Sequence, residues 1–328
     1  MNYRILGRTG VKVSCLCFGT MSFGGDADEP TAAQLFSRCL DAGVNFFDTA
    51  NSYGQGRSEE ILGRLMAGIR DELVISSKVC SAMGPGINDR GLARRHIMRQ
   101  VEHSLRRLNT DRLDLYFLHH FDPDTPMEET LRALDDLTRQ GKILYPAVSN
   151  WAAWQIAKAL GISALHGWAR FECIQPMYNL VKRQAEVEIL PLAASEGLGV
   201  IPYSPLGGGL LTGKYTATQR PPEGRLVRNI MYQKRYGDQM YFDIAERFAS
   251  YAQAKGVHPA TLAVAWVMSH PAVTAPIIGA RNLEQLEPSL AAAELKMDAS
   301  WREEIAALSY EPPPATDRTE ERKSSSVA

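Results

Sequence analysis

The feature that most constrains the fold of this chain is an eightfold alternation of short apolar runs with longer segments of helical spacing. The apolar runs are typical of buried strands, and they cover residues 16–18, 44–47, 73–75, 113–118, 144–148, 171–174, 200–201 and 273–278. The segments with helical spacing cover residues 31–42, 58–68, 91–107, 127–140, 151–160, 184–196, 240–255 and 283–293. Strands that alternate with helices pair in parallel through right-handed crossovers. Eight such units predict an α/β fold made of one closed (β/α)8 TIM barrel.

The main alternative is a doubly wound parallel sheet. Such a sheet commonly carries a GxGxxG turn after its first strand, where it binds a dinucleotide. Residues 19–25 contain glycines at other spacings and do not supply that turn. The barrel is therefore the favoured fold, and a barrel of this length forms one domain.

Three segments lie outside the eightfold repeat. Residues 3–13 predict an N-terminal β-hairpin, and residues 299–309 predict an extra C-terminal helix. Residues 205–238 form a long connection that contains Gly, Pro and Arg, and we interpret this connection as a lid. We expect the barrel domain to span residues 1–310. The Pro- and Ser-rich composition of residues 311–328 predicts a flexible tail.

Composition narrows the classes of function. A net charge of −1 argues against a nucleic-acid partner or an anionic membrane surface, since both require a concentrated basic face. The N-terminus has no apolar signal region and no apolar run is long enough to span a bilayer, so we expect a cytoplasmic protein. No HExxH or Cys/His cluster is present, so we expect no metal site. The cysteines form no CxxC pair, are odd in number and fit reduced, packed thiols: Cys15, Cys17, Cys39, Cys80 and Cys173.

Polar side chains follow three consecutive predicted strands of the barrel. Asp48 and Tyr53 come after the second strand, Lys78 ends the third, and His119 ends the fourth. The C-terminal ends of barrel strands meet at one mouth, where barrel enzymes carry their chemistry. Each residue also has a structural alternative: a helix cap for Asp48, a surface position for Tyr53 and Lys78, and a packed core position for His119. His120 is expected to be structural, because adjacent strand residues point to opposite faces.

These motifs resemble those of a known family. FFDTANSYGQGRSEEILG, ISSKV and DLYFLHH are similar to the three signature regions of the aldo-keto reductases. The resemblance is to the bacterial, plant and fungal branch related to aryl-alcohol dehydrogenases and to potassium-channel beta subunits. It extends over most of the chain and includes the segments AVSN, IQPMYNL, IPYSPLGGGLLTGKY and IIGARNLEQLE.

The four polar residues make chemical sense for carbonyl reduction. Hydride addition to a carbonyl requires a proton donor, and an unperturbed tyrosine is a weak acid at neutral pH. We expect Lys78 to lower the pKa of Tyr53, and Asp48 to hold Lys78 and balance its charge. His119 is expected to donate a hydrogen bond to the carbonyl oxygen or to share the proton relay. The resemblance implies the same catalytic roles for all four.

The hydride must come from a cofactor, and the resemblance implies NADP(H). It implies that Ser149, Asn150 and Gln175 hold the carboxamide and that Tyr203 stacks on the nicotinamide ring. For Asn150, the residues alone favour an ordinary cap of the following helix. The resemblance also implies pyrophosphate contacts from Ser204, Leu206 and Lys214.

The choice of NADPH over NADH depends on the segment from Gly279 to Gln285. Backbone amides at a helix start suit a phosphate, and the Arg281 guanidinium can bind the 2′-phosphate that distinguishes NADPH. The resemblance places Gln285 near the adenosine. Two positions depart from the family pattern: Ser289 stands where asparagine is usual, and Ala147 stands where glycine is common.

The sequence thus predicts an NADPH-dependent reductase of an aldehyde or ketone, whose partner is a small-molecule carbonyl compound. Met21, Phe23 and Phe121 are expected to line its apolar pocket, together with the lid. The alternative function is a nucleotide-binding regulatory or redox-sensing subunit with little turnover. A metal-dependent barrel hydrolase or isomerase is disfavoured because a ligand cluster is lacking. The sequence does not predict the oligomeric state.

Overall fold

The computed structural model describes every residue except 217, 219, 220, 223, 319 and 321–328. Parts of the predicted lid and tail therefore lie outside the described residues. Strands β1 (Tyr3–Ile5) and β2 (Lys12–Ser14) pair antiparallel and form the predicted hairpin. The remaining strands form one parallel sheet: β3 (Cys17–Gly19), β4 (Phe46–Asp48), β5 (Val74–Val79), β6 (Leu113–Leu118), β7 (Ile143–Ser149), β8 (Cys173–Gln175), β9 (Gly199–Val200) and β10 (Ile277–Ile278).

The eight strands follow the order β10-β3-β4-β5-β6-β7-β8-β9 and curl into a barrel. Backbone hydrogen bonds close the ring between its first and last strands. The Ile277 amide donates to the Pro202 carbonyl at 2.9 Å, and the Ala275 amide donates to the Val200 carbonyl at 3.2 Å. The predicted (β/α)8 barrel is confirmed.

Helices separate the strands and cover the outside of the barrel. They are α1 (Glu29–Asp41), α2 (Arg57–Leu65), α3 (Arg94–Leu108), α4 (Met127–Arg139), α5 (Ala153–His166), α6 (Ile189–Glu196), α7 (Arg225–Arg228), α8 (Ile230–Tyr236), α9 (Gln239–Ala254), α10 (Pro259–Met268), α11 (Leu283–Leu290) and α12 (Ala299–Ala306). The extra C-terminal helix is α12, as predicted. The sequence pattern did not predict α10, nor did it predict that α7 and α8 form within residues 205–238.

The barrel interior is apolar at its N-terminal end and polar at its C-terminal end. Leu6 and Val13, from the hairpin region, pack with the interior side chains Phe46, Leu115 and Phe117. The hairpin therefore covers the N-terminal end of the barrel, and the polar side chains at the other end face a cavity. Within the described part of the chain, no helix combines the length and the apolar character needed to cross a bilayer.

Candidate active site

The four predicted catalytic residues meet at the C-terminal mouth of the barrel. Asp48 is the last residue of β4, Lys78 lies near the end of β5, and His119 follows β6 directly. Tyr53 begins a 3₁₀ turn that leads from β4 into α2. The Lys78 ammonium donates to Asp48 Oδ2 at 2.5 Å and to the Tyr53 hydroxyl at 3.3 Å. The rings of Tyr53 and His119 meet edge to face, with centroids 6.0 Å apart.

Asp48 is anchored on both of its carboxylate oxygens. Oδ2 accepts the Lys78 ammonium, and Oδ1 accepts hydrogen bonds from Ser76 Oγ at 2.6 Å and Gln175 Nε2 at 3.1 Å. Lys78 also donates to the Thr49 carbonyl at 2.7 Å. A buried charge is tolerated when it is paired and hydrogen-bonded in this way. The surface and cap alternatives for Asp48 and Lys78 are wrong, because both side chains are buried inside the barrel mouth.

Burial and the neighbouring charged group have opposite effects on the pKa of Lys78, and likewise on the pKa of Tyr53. Burial lowers the pKa of Lys78, but the Asp48 carboxylate and the Tyr53 hydroxyl outweigh it, so the net pKa is raised and the ammonium is retained. Burial of the phenol raises the pKa of Tyr53, and the nearby Lys78 ammonium opposes this rise without cancelling it. Lys78 therefore lowers the pKa of Tyr53, as expected, but desolvation is the larger effect, so the net pKa lies above its ordinary value.

His119 lies beside the tyrosine as a neutral imidazole. Burial and the nearby Lys78 ammonium hold the pKa of His119 well below its usual range. Its Nδ1 is buried and has no hydrogen-bond partner among the described residues. The His120 ring stacks on the His119 ring with centroids 4.8 Å apart and also lines the cavity. The expectation that His120 faces away from the site is wrong, because strand alternation stops at Leu118, where β6 ends.

A cavity of about 610 Å³ opens at this mouth. Its volume lies within the range of ordinary cofactor and ligand sites. Asp48, Tyr53 and His119 line one end, whereas Lys78 lies beneath the wall. All of the predicted cofactor-binding residues line the cavity: Ser149, Asn150, Gln175, Tyr203, Ser204, Leu206, Lys214, Gly279, Arg281 and Gln285.

Amide and hydroxyl groups surround the end of the cavity next to the four catalytic candidates. The Tyr203 hydroxyl donates to Asn150 Oδ1 at 2.7 Å, and Asn150 Nδ2 donates to the His119 carbonyl at 2.9 Å. The Ser149 hydroxyl donates to the Gln175 carbonyl at 2.9 Å. Asn150 is not the cap of α5, because that helix begins at Ala153 and Asn150 has a left-handed backbone, with φ of 59°. This polar group is suited to a carboxamide.

The other end of the cavity carries a group of cations. Lys214, Arg225 and Arg281 line it, and none of them forms an ion pair with a described carboxylate. Burial lowers the pKa of Lys214, and the charges of Arg281 and Arg225 lower it further. Gly208 and Gly209 line the same wall with positive φ, which lets the backbone approach a ligand closely. This end is suited to phosphate groups.

Several cavity residues were not predicted from the sequence. Arg225, Met231, Tyr232 and Arg235 reach the cavity from α7 and α8, within the segment interpreted as a lid. The cationic and aromatic residues of this segment were the only sequence signal for them. Of the residues expected to line an apolar pocket, Met21 does so, whereas Phe23 is packed in the core and Phe121 contacts Trp151 outside the cavity wall.

The two departures from the family pattern occupy buried positions. Ser289 lies on α11 beneath the cavity wall, and its hydroxyl has no hydrogen-bond partner among the described residues. Ala147 lies on β7 and packs with the apolar interior of the barrel. Neither side chain lines the cavity.

The chemistry of the donor groups fits a nicotinamide dinucleotide. Groups suited to a carboxamide lie beside Tyr53, and groups suited to phosphate lie at the far end of the same cavity. In the described parts of the chain, no group of three or more His, Cys, Asp or Glu side chains is arranged to hold a metal ion. The site therefore combines a hydrogen-bonded Asp–Lys–Tyr group with amide groups beside it and cations farther along the same cavity.

Comparison with known proteins shows which family the chain is similar to. A model of the aldo/keto reductase family matches residues 15–309. The chain is 40% identical over 309 residues to an "uncharacterized oxidoreductase", YrpG, of Bacillus subtilis (strain 168), covering 91% of this chain and 93% of that protein.

Two further relatives show the breadth of the similarity. A "probable voltage-gated potassium channel subunit beta" of Arabidopsis thaliana is 37% identical over 303 residues, with 90% of this chain and 92% of the relative covered. "Aldo-keto reductase family 7 member A3" of Homo sapiens is 37% identical over 296 residues, with 84% and 87% covered. The barrel, the site and these matches together show that the chain belongs to the aldo/keto reductase family.

Proposed function

We propose that this protein reduces an aldehyde or ketone to the alcohol with NADPH, and that Tyr53 supplies the proton. The observation that carries the proposal is the buried contact of the Lys78 ammonium with both Asp48 and the Tyr53 hydroxyl, at 2.5 and 3.3 Å. A phenol at the wall of a cavity, with a cation beside its oxygen, is arranged to donate a proton and to tolerate the negative charge left behind.

The residues divide the work of the reaction. A bound nicotinamide supplies hydride chemistry at the carbonyl carbon. Tyr53 donates its proton to the carbonyl oxygen as negative charge develops there, and Lys78 stabilises the phenolate that remains. Asp48 keeps Lys78 charged. His119 is neutral and lies beside Tyr53, so its imidazole can orient the carbonyl oxygen by a hydrogen bond.

The proposed cofactor contacts follow the two ends of the cavity. Ser149, Asn150 and Gln175 hold the carboxamide, with Tyr203 against the nicotinamide ring. Lys214, Ser204 and Leu206 hold the pyrophosphate, and Gly279 and Gln285 hold the adenosine end. Arg281 binds the 2′-phosphate, because its guanidinium lines the cavity beside the start of α11 and has no carboxylate partner among the described residues.

A regulatory or redox-sensing subunit is the second candidate function. It is supported by the 37% identity to probable channel beta subunits over 90% of the chain. Such a subunit would bind NADPH by the same contacts and turn it over little. We also propose a cytoplasmic location, since all five cysteines are free thiols, as expected in a reducing compartment.

Kinetics with a panel of aldehydes and ketones tests both candidates. Wild-type protein should consume NADPH with at least one carbonyl compound. Tyr53→Phe should lower kcat/KM by about a hundredfold to ten-thousandfold, the usual contribution of a general acid, and leave the NADPH dissociation constant nearly unchanged.

Tyr116→Phe is the matched control. Its hydroxyl is buried away from the cavity and has no partner among the described residues, so kinetics should stay at the wild-type level. Substantial activity in Tyr53→Phe would remove Tyr53 from the acid role. Tight NADPH binding without turnover of any carbonyl compound would favour the sensor.

A further inference from the structure

Ser76 lies next to the catalytic candidates but does not line the cavity. It is two residues before Lys78 on β5, so both side chains point to the barrel interior. The side chain is fully buried, and its hydroxyl donates to Asp48 Oδ1 at 2.6 Å. The other Asp48 oxygen, Oδ2, accepts the Lys78 ammonium. Any effect of Ser76 on the reaction must therefore pass through Asp48.

A carboxylate held by one oxygen alone is poorly fixed, because the terminal torsion of aspartate is broad. A second hydrogen bond on the other oxygen fixes the plane of the group. Gln175 also donates to Oδ1, but at 3.1 Å, and its side chain belongs to the cavity wall, where the proposed carboxamide contact would compete for it. Ser76 lies behind the wall, so its hydrogen bond to Asp48 is independent of what the cavity contains.

We propose that Ser76 is a positioning residue for the reaction: its hydroxyl orients the Asp48 carboxylate so that Asp48 holds Lys78 against Tyr53. The inference deepens the proposed function and rests on it, since it concerns the same proton donor. Ser76 itself touches neither the cavity nor any reacting atom.

The consequence for proton transfer has a definite sign. The Asp48 carboxylate raises the pKa of Lys78, and its charge also raises the pKa of Tyr53. A carboxylate that turns away from the pair stabilises both protonated forms less. For Tyr53 this loss is opposed by the weaker hold on Lys78, whose charge lowers the Tyr53 pKa. The pKa of Lys78 should fall, so the basic limb of the pH–rate profile, where the Lys78 charge is lost, should move to lower pH.

Ser77 offers a matched control on the same strand. It is also fully buried, and its hydroxyl donates to the Glu59 carboxylate at 2.5 Å on the opposite face of the sheet. Ser76→Ala and Ser77→Ala thus each remove one buried hydroxyl bonded to one carboxylate. Only Ser76→Ala removes it from Asp48, so a general loss of folded protein affects both variants, whereas a shifted pH profile is specific to Ser76.

The test measures kcat and kcat/KM against pH for the wild type and both variants, along with NADPH affinity. Ser76→Ala should lower kcat by about tenfold to a hundredfold, the usual effect of removing a hydrogen bond to a charge, and should move the basic limb to lower pH. NADPH affinity should stay at the wild-type level. Ser77→Ala should keep the basic limb of the pH–rate profile where the wild type has it. An unshifted limb in Ser76→Ala, or an equal shift in both variants, would overturn the inference.

Two near-isosteric substitutions isolate the hydroxyl if the alanine variant folds poorly. Ser76→Thr keeps the donor and Ser76→Val lacks it, while both suit a strand. The threonine variant should retain the wild-type limb, and the valine variant should show the shifted one; identical profiles would refute a role for the hydroxyl.

A separate measurement distinguishes failure of this inference from failure of the proposed function. Ionisation of a phenol changes its ultraviolet absorbance. The wild type, Ser76→Ala and Ser77→Ala are each titrated with Tyr53 present and with Tyr53→Phe. Subtracting the Tyr53→Phe curve gives the titration of Tyr53 without turnover. A wild type that reduces no carbonyl compound refutes the proposed function. In that case, a Tyr53 titration that shifts in Ser76→Ala but not in Ser77→Ala still supports the orienting role, and an unchanged titration refutes it.

Discussion

The buried Asp48–Lys78 pair predicts a large loss of stability when either charge is removed alone. The two side chains are 3% and 0% exposed, and the ammonium nitrogen lies 2.5 Å from Oδ2. Lys78→Met leaves the Asp48 carboxylate buried without its counter-charge, although Ser76 and Gln175 still donate to it. Breaking a buried pair in this way costs about 3–5 kcal/mol in the free energy of unfolding. This is a large part of the total stability of a typical domain.

A double-mutant cycle by urea denaturation at pH 7 measures the coupling directly. Lys78→Met and Asp48→Asn should each destabilise by about 3–5 kcal/mol. The destabilisation of the double variant should be smaller, by about 2 kcal/mol, than the two single-variant destabilisations added together, because the double variant contains no unpaired buried charge. Lys142→Met is the control: it breaks the half-exposed pair with Glu102 and should cost under about 1 kcal/mol. Additive losses at Asp48 and Lys78 would refute the claim that the two charges stabilise each other.

The same pair predicts how stability depends on alkaline pH. The folded-state pKa of Lys78 is raised, whereas the unfolded chain titrates near the ordinary lysine value of about 10.4. The stability contributed by the Lys78 charge is therefore fully present below about pH 10 and is lost as the pH rises through the folded-state pKa. Lys78→Met should lose this alkaline component. If the difference in free energy of unfolding between the wild type and Lys78→Met stayed constant up to high pH, the prediction would be contradicted.

Two further predictions concern the cations of the cavity. Arg281→Ala should weaken NADPH binding by about tenfold to a hundredfold, since one charge-assisted phosphate contact is lost, and should change NADH binding little; equal effects in titrations of both cofactors would discredit the assignment. Arg235 lies over the Tyr203 and Tyr232 rings, 5.9 and 5.5 Å from their centroids, and pairs with no described carboxylate. Arg235→Met should therefore raise KM about tenfold more for a carboxylate-bearing aldehyde than for its uncharged analogue, while Lys234→Met, an exposed neighbour, should not.

The barrel could be predicted because its signal is repeated along the chain. Most residues of the barrel strands are buried, on both faces of the sheet, and form short apolar runs, and most of the intervening helices show an amphipathic stripe. Helix α10 (Pro259–Met268) has no such stripe, because every residue from Ala260 to Met268 is buried. A segment that has no polar face cannot be assigned to helix or strand by periodicity. Its burial depends on its neighbours α9 and α11, which is tertiary information.

The clustering of the four catalytic candidates could be predicted because barrel geometry brings strand ends together, whatever their separation in sequence. The cations of α7 and α8 could not be predicted in the same way. Residues 205–238 have no repeat, so nothing in the sequence indicates that Arg225 and Arg235 face the cavity while Lys234 is exposed. The prediction for His120 was wrong for a related reason. Side chains alternate between the two faces only within a strand, and β6 ends at Leu118, before His120.

The raised pKa of Tyr53 changes the interpretation of Lys78. A lowered pKa would favour a partly ionised resting phenol, which cannot donate a proton. Because burial raises the pKa, the phenol stays protonated at neutral pH and is a competent donor. The Lys78 ammonium lies 3.3 Å from the phenol oxygen, where negative charge appears only as the proton leaves. In the proposed reaction its attraction is therefore stronger in the transition state than in the resting state, and we expect this difference, rather than a lowered resting pKa, to accelerate proton transfer.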